Sequence, residues 1–547
     1  MKFRLSFLVG LVMVLTHGLV GQTVGTVKYT DLAHEKLCLV NPVNNTHCYL
    51  IDNCGYIVNE WETSHRPGLA VHLDSSGALY RAGRISSSVF KAGGLGGVIE
   101  KYDWDGTKLW EYRLANDSMH LHHDFYVRTN GHIIAIAWEL IPQDELLSSG
   151  RNPGTVRDEF YSERIIEIDP DSDFEIVWEW KAFDHIVQEY DDQLQNFASV
   201  SEMPQRFDIN LNRVQGLNFI DWLHINSVDL DEETDLLLLS CNAIDEIVLI
   251  DHSTTVEEAS GSAGGRYGHG GDLLYRIGNP GNYDERDNFD QLFFAHHDAR
   301  WIDSEDRLLN ISLFNNGRRN GNINFSAVEL YSLNYEANDL IMGFNAIRPD
   351  SDLEPIWSYN AQAMQGLYSK RMSSARYQDG HWTICSSDDG RIIEIDQGGR
   401  ILWEYINPVG PNQVFSQGDS PFGNTLFSVP VYLYEYFDES LNTESSNIRI
   451  ELNASDSCDI ESTTVSVYEE LDLPFKVWFA AQSLNIEAEG SYQLRLYDTN
   501  GNHLWHSTVF ENDFCSHIWG LSEGIYFLKI SSTDGSLTKT IKLYYSK

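Results

Sequence analysis

The chain has 547 residues, enough for several domains, and an ordinary apolar content of 42%. Its 38 basic and 81 acidic residues give a net charge of −43. A surface this acidic repels phosphate backbones and anionic headgroups, which excludes nucleic acid and anionic lipid as expected partners.

The first 21 residues have the pattern of a secretory signal peptide. Lys2 and Arg4 form a basic start, residues 5–15 are an uncharged apolar run, and small residues precede a cleavage position before Gln22. The alternative, a short membrane anchor, is disfavoured because the apolar run is too short to span a bilayer comfortably. The sequence therefore predicts an exported protein whose signal peptide covers residues 1–21.

Six segments share one pattern, in which two short alternating apolar runs are joined by a turn signal and marked by an aromatic residue. The aromatic positions are Trp61, Trp110, Trp178 with Trp180, Tyr275, Trp357 and Trp403. Turn signals such as Asp-Gly or Gly-Gly between alternating runs indicate β-hairpins. A second pair of strand-like runs lies upstream of five of these segments, so each repeat is predicted to be a four-stranded unit.

Six such repeats predict an all-β fold, a six-bladed β-propeller over residues 22–440, because a four-stranded unit cannot bury both faces alone. The first repeat has only its outer half before Trp61. We expect Phe427–Phe437 to supply the missing part and close the ring, which removes exposed sheet edges. Two insertions interrupt the pattern: residues 183–218, where HIVQEYDDQLQNF suggests an amphipathic helix, and Gly261–Gly271. They either shape a binding mouth or decorate the surface.

The composition changes after about residue 440. Residues 441–465 are rich in Asn and Ser and are predicted to be a linker, and residues 466–547 alternate apolar and polar residues around Gly turns, which predicts a small β-sandwich. The LYDTNG hairpin, the LSEGIYFLKI strand and the closing KTIKL strand resemble the C-terminal sorting domain of type IX secretion in Bacteroidetes. That resemblance implies an interaction with the type IX machinery and a secreted or outer-surface location, usually with removal of the domain.

Seven cysteines can form disulfides in an exported protein. Cys48 and Cys54 could pair, either could pair with Cys38, and Cys458 could pair with Cys515. Two further cysteines, at positions 241 and 385, lie inside apolar strand-like runs and are predicted to be buried free thiols. No Cys-x-x-Cys motif supports a redox or zinc-ribbon function.

Three histidines stand at one spacing in three repeats. His123, His224 and His297 each lie four residues before an apolar residue that begins a strand-like run. If the repeats surround an axis, these three imidazoles converge at one mouth of the channel. We call them the histidine column. The neighbouring His122 and His296 are expected to point away or to support it.

Three arginines complete the candidate site. Arg318 and Arg319 follow an Asn-Gly pair that predicts a turn in the His297 repeat, and Arg376 follows the same register in the next repeat. A guanidinium suits tetrahedral oxyanions because it can bond two oxygens at once, although a solvated turn would equally explain each arginine. Imidazoles and guanidiniums together predict a site for a sulfate, phosphate or carboxylate group.

Other chemistries find less support. The glycine-rich segments GGLGG and GSAGG lack the Lys-Ser/Thr and the helix of a phosphate loop, so no nucleotide donor and no cofactor are predicted. The G-x-S-x-G elbow of hydrolases is missing. Metal binding by the histidine column stays open.

Three motifs resemble the bacterial arylsulfotransferase family: DWLHINSVDLD, FFAHHDARW followed by LFNNG, and DDGRIIEIDQGGRILWEYINP. The likeness extends from about Val43 to Tyr436. It implies a six-bladed propeller that moves a sulfuryl group from an aryl sulfate donor to a phenolic acceptor, by ping-pong transfer through a sulfated histidine and without a nucleotide donor. It also implies that His224 and His297 bind the sulfuryl group and that Arg318 or Arg319 assists.

One position departs from the family pattern. The region of the family's histidine nucleophile reads GRIIEID, with Ile393 or a neighbour at the place, and His381 is close in sequence but predicted to lie exposed in a turn. The nucleophile is then His297, His224 or His123. The alternative to an enzyme is a non-catalytic binding or adhesin propeller at the cell surface.

Overall fold

The structure is a computed structural model. It describes residues 22–157, 159–211, 220–283, 291–302, 308–320, 323–336, 353–360, 367–454 and 458, together with the C-terminal strands of residues 475–545. The predicted signal peptide therefore lies outside the described residues.

The described strands between residues 25 and 432 form six blades of a β-propeller, each an antiparallel sheet of at least four strands. Listed from the inner strand outward, blade 1 contains Val431–Tyr432, Leu37–Val40, His47–Ile51 and Ile57–Glu62; blade 2 contains Pro67–Leu73, Leu79–Arg84, Gly97–Tyr102 and Lys108–Arg113; and blade 3 contains Met119–Val127, Ile133–Leu140, Tyr161–Asp169 and Glu175–Lys181. Blade 4 contains Ile225–Asp231, Leu236–Cys241, Glu246–Asp251 and Tyr275–Ile277; blade 5 contains His297–Ile302, Leu308–Asn320, Ile323–Glu336 and Trp357–Asn360; and blade 6 contains Ser374–Gln378, His381–Ser386, Arg391–Asp396, Ile401–Ile406 and Gly25–Tyr29. The predicted six-bladed propeller is thus confirmed.

The ring closes within the predicted segment, but that segment supplies one strand and not half a blade, because Leu37–Val40 already provides the second strand of blade 1. Leu37 pairs with Tyr432 and Cys38 with Val431, so the C-terminal end of the propeller supplies the inner strand of blade 1. The N-terminal strand Gly25–Tyr29 adds a fifth strand to blade 6. Both ends of the propeller region are therefore hydrogen-bonded into blades.

Large buried tryptophans form the packing between blades, and three of the four named below mark repeats in the sequence. Trp61 is buried between blades 1 and 2, Trp180 between blades 3 and 4, Trp382 between blades 5 and 6, and Trp403 between blades 6 and 1. Each is at most 1% exposed. Truncating a ring of this size to Ala costs about 3–5 kcal/mol of folding stability. The repeated aromatic positions in the sequence therefore indicate where neighbouring blades pack together.

The loops hold short helices and 3-10 turns. The α-helices are Gln143–Ser148 and Val256–Ala259, and the 3-10 turns are Pro170–Ser172, Ala182–Asp184, Val200–Glu202, Asn242–Ile244, Pro280–Asn282 and Tyr434–Tyr436. The prediction of a helix over residues 185–197 is wrong. Instead Ile186–Val187 pairs in parallel with Phe207–Asp208, and buried Ile186 and Phe207 pack into the core of blades 3 and 4, so apolar burial fixes an extended segment.

The disulfide differs from each predicted pairing. Cys54 bonds to Cys458, and Cys38 and Cys48 are buried free thiols, as Cys241 and Cys385 are. The reason is that residues 446–449 return to blade 1: the amide of Ile57 donates to the carbonyl of Ile448 at 2.8 Å. Part of the predicted linker is therefore hydrogen-bonded and covalently joined to the propeller.

The C-terminal strands form two antiparallel sheets. One contains Phe475–Ala480, Ser483–Ala488 and Phe514–His517, and the other contains His503–His506, Ser491–Tyr497, Gly524–Ser532 and Thr538–Tyr545, with Phe510–Glu511 beside Ser491–Tyr497. No helix in the described part of the chain is long and apolar enough to cross a membrane.

Candidate active site

A row of hydrogen bonds between inner strands shows which positions of the blades are equivalent. In each pair a side-chain oxygen of one blade accepts a backbone N–H of the next: Asp124 from Val228 at 3.2 Å, Ser227 from Ala299 at 3.0 Å, Asp298 from Ala375 at 3.0 Å and Ser374 from Val429 at 3.2 Å. In blades 3 and 5 the residue directly before the accepting residue is a histidine, His123 or His297. In blade 4 that residue is Asn226. His224 lies two residues earlier, so the equal sequence spacing does not reflect equal structural positions.

Two histidines of the column nevertheless meet. The ring centroids of His123 and His224 are 4.5 Å apart, and the ring planes cross at 78°. Both residues have a left-handed backbone, with φ of 51° and 50°. That conformation is uncommon for a residue with a side chain, and it turns each imidazole out of the strand direction toward its neighbour.

His224 forms a dyad with Asp221. Nδ1 of His224 has a very short hydrogen bond to the Asp221 carboxylate, and the indole N–H of Trp138 donates to the same carboxylate at 3.2 Å. Asp221 is buried, while the side chain of His224 keeps 14% of its surface exposed. Because Nδ1–H donates to Asp221, the lone pair of neutral His224 is on Nε2.

His123 belongs to a second relay. Its Nδ1 lies 2.8 Å from Nδ1 of His122, and Nε2 of His122 lies 2.8 Å from Glu163. Burial lowers the pKa of His122 to about 3, so this imidazole is neutral and carries a single proton. If that proton bonds Glu163, then Nδ1 of His122 accepts from His123, whose lone pair is then on Nε2.

His297 is held at both ring nitrogens. Nδ1 donates to the carbonyl of Ala295 at 3.0 Å and to the side-chain oxygen of Asn316 at 2.9 Å, and Nε2 accepts the backbone N–H of Met372 at 3.1 Å. Burial lowers the pKa of His297 to about 4, so the ring is neutral near pH 7. His297 therefore holds the backbone at Met372, which lies just before the first strand of blade 6. His296 is fully buried beside Phe293, with its pKa lowered to about 3 by burial, so it supports the core.

A glycine loop covers the histidine pair. The amide of His123 donates to the carbonyl of Gly94 at 2.8 Å, and a Cβ on Gly94 would overlap the His123 imidazole. A Cβ on Gly93 would lie 3.9 Å from Cε1 of His224. The GGLGG segment is therefore a close-fitting cover over two imidazoles, a role that its sequence did not reveal.

The predicted arginines are distributed differently from the expectation. Arg376 forms an ion pair with Asp298 on the neighbouring inner strand. Arg318 and Arg319 lie in the strand Leu308–Asn320, where a register shift replaces the expected turn, because this strand continues as a long hairpin with Ile323–Glu336. Their side chains lie outside the described residues, so their predicted contact with a sulfuryl group stays a prediction.

His381 is not in an exposed turn. It begins the strand His381–Ser386, bonds Glu394 at 2.6 Å and stacks on His34 with centroids 3.8 Å apart. Ile393 is buried in the core of blades 5 and 6. Because His381 bonds Glu394 and stacks on His34, it belongs to a different group from the pair of His123 and His224.

Possible metal ligands cluster elsewhere. Among the described residues, His34, His381 and Glu394 form one three-ligand group, and His65, Glu100 and Glu111 form another. In each group an ammonium competes for a carboxylate: Lys36 pairs with Glu394, and Lys108 lies 3.6 Å from Glu100. Neither group contains a member of the histidine column.

The family comparison agrees with the fold and with the motifs around these histidines. The chain belongs to the Arylsulfotransferase (ASST) family, which it matches over residues 24–395. Residues 480–543 match the Secretion system C-terminal sorting domain. The protein is therefore exported, to the cell surface or the medium. No curated protein sequence matches the chain.

Solved structures with a similar fold share little sequence with the chain. A protein of unknown function from Bacteroides caccae is 10% identical with a TM-score of 0.39, covering 73% of this chain and 99% of its own. The Pseudomonas aeruginosa periplasmic gluconolactonase is 10% identical with a TM-score of 0.34, covering 89% and 100%. Apo AztD from Citrobacter koseri is 11% identical with a TM-score of 0.32, covering 73% and 99%. Likeness at this level carries no argument about function.

Proposed function

We propose that the protein is an aryl-sulfate sulfotransferase in which His224 is the nucleophile and Asp221 its partner. The observation that carries this assignment is the dyad, in which a buried carboxylate holds Nδ1 of His224, the one column histidine that is partly and not fully buried. A carboxylate in this place orients the imidazole and stabilises the positive charge that develops on it. Family membership supplies the sulfuryl chemistry.

In the first half-reaction Nε2 of His224 attacks the sulfur of the aryl sulfate. The bond between sulfur and the aryl oxygen breaks, and the phenoxide leaves with its electron pair. The new N–S bond makes the ring cationic, and the Nδ1–H bond to Asp221 offsets that charge. In the second half-reaction the acceptor oxygen attacks sulfur, and the N–S electron pair returns to Nε2.

His123 is the proton carrier in this proposal. Its ring lies 4.5 Å from that of His224, and the His122–Glu163 relay holds its other side. Protonated His123 gives its proton to the leaving phenoxide and takes one back from the acceptor phenol, so protons balance over the cycle. His297, bonded at both nitrogens, positions the backbone at Met372. Arg376 is committed to Asp298, which leaves Arg318 or Arg319 as candidates for the sulfonate oxygens.

The test measures phenol release from an aryl sulfate with and without a phenolic acceptor. The parent protein is expected to show acceptor-dependent turnover, His224→Ala to lose at least about a thousandfold, and Asp221→Asn to lose about 10²–10⁴-fold. His47→Ala is the matched control, because His47 is 33% exposed on blade 1. Mass spectrometry of the parent quenched without acceptor is expected to find one added SO₃ group on His224.

Two results would contradict the proposal. One is a His224→Ala variant that transfers within a few-fold of the parent. The other is saturable thermal stabilisation by the aryl sulfate without turnover, which would instead support the binding propeller at the cell surface.

A further inference from the structure

The inner strands continue past the histidines and enclose a second site. A cavity of about 300 Å³ lies in the central channel, and its walls include Tyr126, Asp229 and Trp301. Tyr126 stands three residues after His123, and Trp301 four residues after His297, so the cavity lies further along the channel than the histidine pair.

The guanidiniums that reach this cavity are already committed. Arg300 donates to Asp124 at 2.7 Å, to Asp298 at 2.9 Å and to the carbonyl of Val228 at 2.7 Å. Arg376 pairs with the other oxygen of Asp298. Arg376 bonds through Nη1 and keeps 25% of its side chain exposed, but both guanidiniums are ion-paired, so these two arginines and two aspartates balance one another in charge.

Asp229 is the carboxylate left over. Its oxygens accept the backbone N–H groups of Leu230 at 3.1 Å and Trp301 at 2.9 Å, and no described cation forms an ion pair with it. With three aspartates against two arginines the group has one carboxylate in excess. Burial raises the pKa of Asp229 to about 6, although Arg300 and Arg376 act to lower it, so the excess negative charge is present above that pH. His72, which also lines the cavity, does not balance it, since burial lowers the pKa of His72 to about 4.

Aromatic rings stand beside this carboxylate. Trp301 lies on the blade after that of Asp229. Its indole N–H donates to the carbonyl of Leu236 at 3.2 Å, which fixes the ring. The Tyr126 hydroxyl donates to Glu232 at 3.4 Å. Burial is the main cause that raises the pKa of Tyr126, and the charge of Asp229 is the second. Both aromatic residues line the cavity that Asp229 also lines, and a carboxylate together with aromatic rings attracts an organic cation by charge and by cation–π contact.

We propose that this cavity binds a small organic ammonium ion, with Asp229 as its counter-ion and Trp301 and Tyr126 as its walls. The paired arginines disfavour an anion. A divalent metal ion requires several oxygen ligands, and here one unpaired carboxylate faces aromatic rings. This site is independent of the proposed sulfuryl transfer, because it uses none of the histidines.

The test is calorimetric titration of the full-length protein with choline and with its neutral isostere, in which a carbon replaces the nitrogen. Choline is expected to bind saturably, and the isostere about tenfold more weakly. Equal binding of the two, or no heat with choline, overturns the proposal. A titration with Ca²⁺ alone that saturates the same site and blocks choline also overturns it, in favour of a metal.

Variants separate charge from folding. Asp229→Asn keeps an oxygen for the Trp301 amide, so it is expected to retain the parent's thermal midpoint and to lose about tenfold or more in choline affinity. Glu233→Gln removes the same charge at an exposed position and is expected to bind as the parent does. Trp301→Leu, which removes the ring and leaves the carboxylate, is expected to weaken binding and carries the test if Asp229→Asn does not fold. Parent-like affinity in Asp229→Asn would assign the heat to another site.

Discussion

At the scale of single residues, the reactivity of each histidine depends on which groups hydrogen-bond to its two ring nitrogens. The three column histidines look alike in sequence, yet Asp221 holds His224, His122 holds His123, and protein atoms occupy both nitrogens of His297. Histidine reactivity follows from these partners, because a bonded lone pair cannot attack sulfur. The sequence supplied the three candidates, and their partners distinguish them.

Gly94 offers a test of the cover over this pair. Gly94→Ala is expected to displace His123 and to reduce sulfuryl transfer by about tenfold or more, since the added Cβ would overlap the imidazole. Gly131→Ala is the matched control: both glycines have a φ of 88°, but a Cβ on Gly131 would meet nothing within 4 Å. Both variants incur the same backbone strain. Equal activities in a steady-state assay would show that contact with His123 is unimportant.

At the scale of elements, the propeller is closed from both ends and then joined covalently. The strands Gly25–Tyr29 and Val431–Tyr432 complete blades 6 and 1. Beyond them, residues 446–449 hydrogen-bond to blade 1, and the Cys54–Cys458 disulfide joins positions 404 residues apart. The segment leading to the sorting domain is thereby anchored to the first blade.

Removal of this disulfide should weaken the closed ring. Cys54→Ser is expected to lower the free energy of unfolding by about 2–4 kcal/mol, because the bond restricts the unfolded chain. Cys458→Ser should cost the same, and the double variant no more than either, since one bond is lost in all three. Denaturant unfolding under non-reducing conditions measures this. Additive losses in the double variant would show that the two thiols act separately.

At the scale of the whole molecule, buried ion pairs between blades make stability depend on pH. Glu167 in blade 3 bonds His252 in blade 4 at 2.8 Å, and it also bonds Arg128 and His132. Burial acts to raise the pKa of Glu167, but these three partners outweigh it and lower the pKa from 4.5 to about 2. Burial acts to lower the pKa of His252, but Asp235 and Glu167 raise it.

The direction of the pH effect follows from these shifts. The lowered pKa of Glu167 gives stability that is present above pH 4.5 and lost as the pH falls toward about 2, a loss of about 3 kcal/mol. The raised pKa of His252 gives stability that is present below 6.5 and lost as the pH rises through its folded value. Glu167→Gln is expected to flatten the acid limb in denaturant unfolding from pH 2 to pH 8. An unchanged acid limb would contradict this assignment.

The sequence by itself determined the blades, the closing segment and the sorting domain, because turn residues, strand alternation and buried aromatics act over short distances. It also located the histidines. Only the tertiary structure decided their arrangement: the stacking of the inner strands places His224 outside the row of positions that His123 and His297 share, and the return of the chain to blade 1 brings Cys458 to Cys54. Asp221, Glu163 and Gly94 went unrecognised, although Asp221 stands three residues before His224. Their roles arise from contacts between blades, which depend on how distant strands stack, and local spacing does not encode that.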